Sequence, residues 1–152
     1  MTNSWMEPPS RPAIESALPV LLKQLKLAQF RSQWQAAEQE ARAEGWDPAA
    51  YLYVLAEQEH QQRHQSRLRR LLREAQLPWP KTLADYDWSV VPDLERHQIE
   101  RFAHNVDWID RGENLLLFGP SGVGKTHLAS GICRSLIALD RSARLFTGIA
   151  LV

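Results

Sequence analysis

Gly119-Pro120-Ser121-Gly122-Val123-Gly124-Lys125-Thr126 decides the reading of this 152-residue sequence. It matches G-x-x-x-x-G-K-[ST], a loop that cradles phosphate groups. Leu115-Leu116-Leu117-Phe118 runs into it without a polar interruption, the pattern of a strand buried on both faces. Beyond it, Leu128, Ile132, Leu136 and Leu139 are spaced to share one face of a helix. Strand, glycine loop and helix in that order give the motif its chemistry. The glycines let successive backbone N–H groups converge on phosphate oxygens, and the start of the helix adds its positive dipole end. Lys125 places an ammonium on the β- and γ-phosphates, and the Thr126 hydroxyl is a ligand for Mg²⁺. The loop thus predicts a nucleotide phosphate with Mg²⁺, held by the eight residues from Gly119 to Thr126.

Composition narrows the rest. Hydrophobic residues make up 44 % of the chain, enough for a core, and the net charge is zero, so global electrostatics name no partner. The single cysteine, Cys133, excludes an internal disulfide and fits a reducing cytoplasm. It lies on the apolar side of the helix after the loop and reads as a small buried hydrophobe. No apolar run has the length of a signal peptide core or a membrane span.

In chain order, residues 1–15 read as a disordered tail rich in proline. A helical domain over 16–77 follows. Its first helical region runs from about Ser16 to Glu44 with a break near Ala28, and Gly45 is placed to end it. Asp47-Pro48 reads as an N-cap and first helical residue of a second helix reaching about Gln76. Leu52, Leu55 and Ala56 face a core there, as do Leu68, Leu71, Leu72 and Ala75. Between them, residues 57–67 hold no large apolar side chain, so that stretch is solvated on all sides or meets a polar partner. Pro78-Trp79-Pro80 stops the helix, and 78–92 reads as an extended linker. Residues 93–152 hold a third helix capped by Asp93, the loop with its strand and helix, and a second strand over 143–147.

Other clusters bear on function. Arg63, Arg67, Arg69, Arg70 and Arg73 form a basic group, with Arg63, Arg67 and Arg70 on one helix face. They are either phosphate contacts to DNA or a solvated face balanced by Glu57, Glu59 and Glu74. His60 and His64 have the i, i+4 spacing of a metal site, but Arg63 between them would repel a cation. Asp85 and Asp87 make the segment before the core acidic, without a partner for acid–base work. His127 follows the loop directly and has no assigned role.

The chain resembles the IstB-like ATPases, helper proteins of an insertion-sequence class related to DnaC-like helicase loaders. The resemblance rests on Leu21-Leu22-Lys23-Gln24-Leu25-Lys26-Leu27, Lys81-Thr82-Leu83-Ala84-Asp85-Tyr86-Asp87-Trp88, Arg111-Gly112-Glu113-Asn114 running into the loop, Gly124-Lys125-Thr126-His127-Leu128-Ala129, and Leu145-Phe146-Thr147. It covers nearly everything from Leu18 to Val152. It implies an α/β chain, mostly helical here, with a helical N-terminal domain followed by the start of a P-loop AAA+ parallel-sheet core. It also implies ATP as the nucleotide, binding to DNA, oligomerisation around it, and a transposase as client. The alternatives are a replicative helicase as client, as for a DnaC-like loader, or a non-catalytic interaction module. In the region before the core, the resemblance suggests Tyr86 or Trp88 near adenine.

In this family the acids that hold Mg²⁺ and activate water, the polar sensor and the arginine finger lie further along than the residues after Thr126. The chain therefore reads as the first half of such a protein, with no catalytic residue assigned. The AAA+ strand order 5-1-4-3-2 would put 115–118 and 143–147 three places apart, parallel and unpaired, about 14 Å from each other at about 4.8 Å per place. Such open edges predict poor solubility and no turnover of ATP.

Overall fold

The computed structural model describes residues 7–78 and 80–146. The chain divides into two compact units, Met1–Gln65 and Ser66–Val152.

The first unit is helical. Helices α1 (Arg11–Gln24) and α2 (Ala28–Glu44) pack on each other and on the first part of α3 (Pro48–Glu74). Leu22, Trp34, Ala37 and Leu55 form its core, with Leu18, Leu27, Phe30 and Tyr51 packed around them. The break near Ala28 is a stop at Lys26, whose φ of 58° is left-handed and lets the Leu27 N–H reach back to the Leu22 carbonyl. Gly45 ends α2 the same way, with a φ of 66°. Asp47 caps α3 as expected, its carboxylate accepting from the Ala50 N–H at 2.8 Å. Two expectations are corrected. Helix α1 starts at Arg11 rather than near Ser16, because Arg11 is anchored to Glu15 at 2.6 Å and to Glu38 at 2.7 Å, with its guanidinium over Trp34. Leu52 is exposed at 57 %, and Ala56 is exposed too, since only Leu55 points into the core there. Of the two readings of 57–67, full solvation fails at Glu59, which is buried against polar groups.

In the second unit, Leu71 at the end of α3 and Ala75 just past it are buried beside Ile137. A short 3-10 turn (Trp88–Val90), α4 (Arg96–His104), the single turn α5 (Asp107–Asp110) and α6 (Lys125–Ala138) complete it. Ile99 and Ala103 of α4 meet Leu128, Ile132 and Leu136 of α6, and the helix starts behind Glu95, so the expected cap by Asp93 is corrected. Leu139 lies past the end of α6 and is 45 % exposed. Leu83 and Tyr86, in the segment read as a linker, are buried members of this core.

No strand occurs among the described residues. What is corrected is the two-sided burial expected of 115–118, whereas the lack of a ladder to 143–146 is what the strand order 5-1-4-3-2 predicts. Leu115 and Leu117 pack on the core, while Leu116 is 70 % and Phe118 86 % exposed, so one face is covered rather than two. The period-two burial of a strand is present, but the ladder is not. Among the described residues no backbone hydrogen bond joins 115–118 to 143–146, and Leu145 donates instead to the Ala75 carbonyl at 2.9 Å. Thr147 lies outside the described residues.

Candidate phosphate-binding site

Residues 119–126 are built as their composition requires. Gly119, Gly122 and Gly124 have φ of 149°, 88° and 83°, a region that side chains strongly disfavour at these positions. Gly124 is the N-cap of α6, and the Leu128 N–H returns to its carbonyl at 2.9 Å. Ser121 and Gly122 form a hydrogen-bonded turn, and among the described residues none of the backbone N–H groups of Gly124, Lys125 and Thr126 after it donates to a backbone carbonyl. These donors sit at the positive end of a 14-residue helix. The Lys125 ammonium folds over the loop and donates to the carbonyls of Gly119 at 2.8 Å and Pro120 at 2.6 Å. Thr126 is exposed in the first turn.

The loop forms one wall of a cleft of about 480 Å³. The opposite wall comes from Lys81, Asp85, Tyr86, Asp87 and Val90. Tyr86 is 6 % exposed, and its hydroxyl donates to the Val123 carbonyl at 2.7 Å. Its ring lies so close to Gly124 that an added Cβ would meet Cε2 at 2.7 Å. Trp88 and His127 stack edge-on against it at 4.9 and 5.3 Å. His127, unassigned from sequence, is buried and donates from Nε2 to the Thr82 carbonyl at 2.8 Å. Gly131, one turn further along α6, is closed by Leu83, whose Cδ2 would stand 2.7 Å from a Cβ there and whose backbone N 3.1 Å.

The acids of this wall are engaged locally. Asp85 accepts from the Thr82 N–H and hydroxyl, both at 2.8 Å, and these bonds hold its carboxyl below the usual range. Asp87 is lowered likewise by the Ser89 hydroxyl and N–H. Burial raises the Tyr86 phenol, with a further push from Asp87, so it stays a protonated donor. Burial also raises the half-buried Cys133 thiol, in keeping with an inert packing role.

The basic group lies on α3. Arg63 donates to Glu59 and to the Lys26 carbonyl, both at 2.7 Å. Arg67 pairs with Asp140 at 3.1 Å, and Arg70 reaches Glu74 at 3.9 Å. Arg63, Arg67, Arg70 and Arg73 are all exposed. Among the described residues no cluster of metal-ligating side chains exists, His60 and His64 included. No described helix is long and apolar enough to cross a membrane.

The sequence signalled the loop in full, but not its support from Tyr86. Its hint was the alternation of large side chains over 81–88, which a linker does not need.

Comparison with known proteins agrees with the loop. A Sinorhizobium fredii protein named as an insertion sequence ATP-binding protein is 38 % identical over 123 residues, 81 % of this chain and 41 % of its own length. One from Pseudomonas aeruginosa, named for insertion sequence IS21, is 34 % identical over 84 % of this chain and 47 % of its own. A third, from Geobacillus stearothermophilus and named for IS5376, is 30 % identical over 84 % of this chain and 51 % of its own. The chain thus spans about half the length of these relatives. The family model described as IstB-like ATP binding protein matches residues 20–150, and the chain belongs to that family.

Proposed function

We propose that this chain binds ATP with Mg²⁺ through residues 119–126, as the ATP-binding helper of a DNA-transposition system. The observation that carries the reading is the loop's backbone. Three left-handed glycines leave the N–H groups of 124–126 without backbone acceptors at the start of α6. A polyphosphate supplies the acceptors they lack. Lys125 is within reach of the same space and would exchange two carbonyl partners for phosphate oxygens. Thr126, exposed in the first turn, is the residue that would hold Mg²⁺, whose charge neutralises the phosphates when bound. The insertion-sequence names of the relatives favour transposition over helicase loading. DNA, a transposase and further copies of the chain are the partners this reading entails, with Arg63, Arg67, Arg70 and Arg73 as its DNA contacts.

The test is calorimetric titration of ATP into the parent protein and Lys125→Ala. A charge-assisted contact is worth about 1.5–3 kcal/mol, so binding should weaken by roughly 10- to 150-fold. Equal affinity in both proteins would remove the assignment.

A further inference from the structure

We infer that Tyr86 is a positioning residue for nucleotide: by holding the Val123 carbonyl, it aims the Gly124 N–H into the phosphate cradle. The inference rests on the phosphate-binding reading above and adds a residue from outside the loop. Val123 and Gly124 share one trans peptide plane, in which the carbonyl and the N–H point in opposite directions. The Tyr86 hydroxyl takes the carbonyl at 2.7 Å. The N–H of Gly124 is thereby turned away from Tyr86. Gly124 alone would not keep that orientation, because a glycine at a φ of 83° has little intrinsic preference for it.

Tyr86 is itself held from both sides. Behind it, Asp85 ties back to Thr82, and the Tyr86 N–H bonds to the Leu83 carbonyl at 3.3 Å. Ahead of it, His127 on α6 donates to the Thr82 carbonyl. The contacts form a closed circuit: Thr82 to Tyr86, Tyr86 to Val123, then the first turn of α6 back to Thr82. A donor fixed in advance needs no reorganisation when phosphate arrives, which is where such hydrogen bonds gain their strength.

The circuit also explains the fit at Gly124. The ring occupies the volume a side chain would need, so glycine is required there by contact as well as by dihedral angle. Tyr86→Phe keeps the ring and removes only the hydroxyl.

The experiment titrates ATP, ADP and adenosine into the parent, Tyr86→Phe and Lys125→Ala at 25 °C, and follows the Gly124 amide by NMR in the parent and Tyr86→Phe as ADP is added. ATP and ADP should each bind Tyr86→Phe roughly 3- to 10-fold more weakly, the range of one hydrogen bond, with adenosine unaffected. The Gly124 amide should shift on ADP binding in the parent and shift less in the variant. A purely structural hydroxyl would lower the melting temperature without moving affinity well below it, or would weaken adenosine equally. Should Tyr86→Phe not fold, a Gly124 amide in the parent that ignores ADP overturns the inference by itself. If the parent binds, Lys125→Ala loses affinity and Tyr86→Phe does not, the inference falls and the phosphate-binding reading stands. If the parent binds no nucleotide, both fall.

Discussion

Glu59 is a carboxylate only 6 % exposed on α3, in a stretch without a large apolar side chain. Its partner is the start of α2, which has no cap of its own: Leu27 stands at the N-cap, and Glu59 accepts from the Gln29 N–H at 2.8 Å and from Arg63 at 2.7 Å. Burial pushes its pKa up, but the bonds from Arg63 and the α2 amides outweigh that and hold it below 4.5. Glu59→Gln should therefore destabilise the chain by about 1–3 kcal/mol at neutral pH, read by denaturant unfolding. The folded pKa is depressed, so this contribution is complete above the unfolded value of 4.5 and is lost as pH falls through the folded one. The difference between parent and variant should shrink on acidification, and a gap independent of pH would remove the charge from the explanation. The sequence showed the unusual polarity of 57–67 but not its partner, because Gln29 and Glu59 are thirty residues apart. The same kind of separation hid Tyr86 from Val123, whereas Gly119 to Thr126 was readable because the motif is contiguous.

Helices were legible in this chain, and strands were not. A helix completes its hydrogen bonds within itself, so the spacing of Leu128, Ile132 and Leu136 or the Asp47-Pro48 start suffices to place one. A strand needs a neighbour, and the apolar run 115–118 has none among the described residues. Helix stops were half legible. Gly45 was an obvious terminator, but Lys26, Gln76 and Asp140 adopt left-handed φ of 58°, 51° and 61° without glycine's exemption. At Asp140 the Arg141 N–H then bonds the Leu136 carbonyl at 3.0 Å, and Arg67 pairs with the Asp140 carboxylate. That pairing bears on the basic group of α3. If Arg67 and Arg70 contact DNA, Arg67→Ala with Arg70→Ala should weaken binding and flatten its salt dependence, by about 0.9 in the log–log slope for each phosphate no longer neutralised. An identical slope in parent and variant would leave these arginines as partners of Asp140 and Glu74 alone.

For the molecule as a whole, the exposed row of Leu116 and Phe118 beside half-exposed Val90 is a liability in water. Leu115 and Leu117 anchor the same segment to the core, so the exposed pair can be changed without disturbing it. Leu116→Ser with Phe118→Ser should lower light scattering at a given protein concentration and leave the melting temperature within a few degrees of the parent. Unchanged scattering would place the aggregating surface elsewhere. The family was legible at this scale because 119–126 and its flanks carry the resemblance. The division at Gln65/Ser66 was not, since it falls inside the uninterrupted α3 and no composition change marks it. One contact also constrains how the sequence can drift. Gly131 sits mid-helix, where alanine is ordinarily preferred by about 1 kcal/mol, but Leu83 already fills the space its methyl would take. The positions are forty-eight residues apart in sequence, yet the room at one is set by the side chain at the other. A side chain placed at 131 would need Leu83 to move or shrink and its backbone to give slightly, or the core would be overpacked.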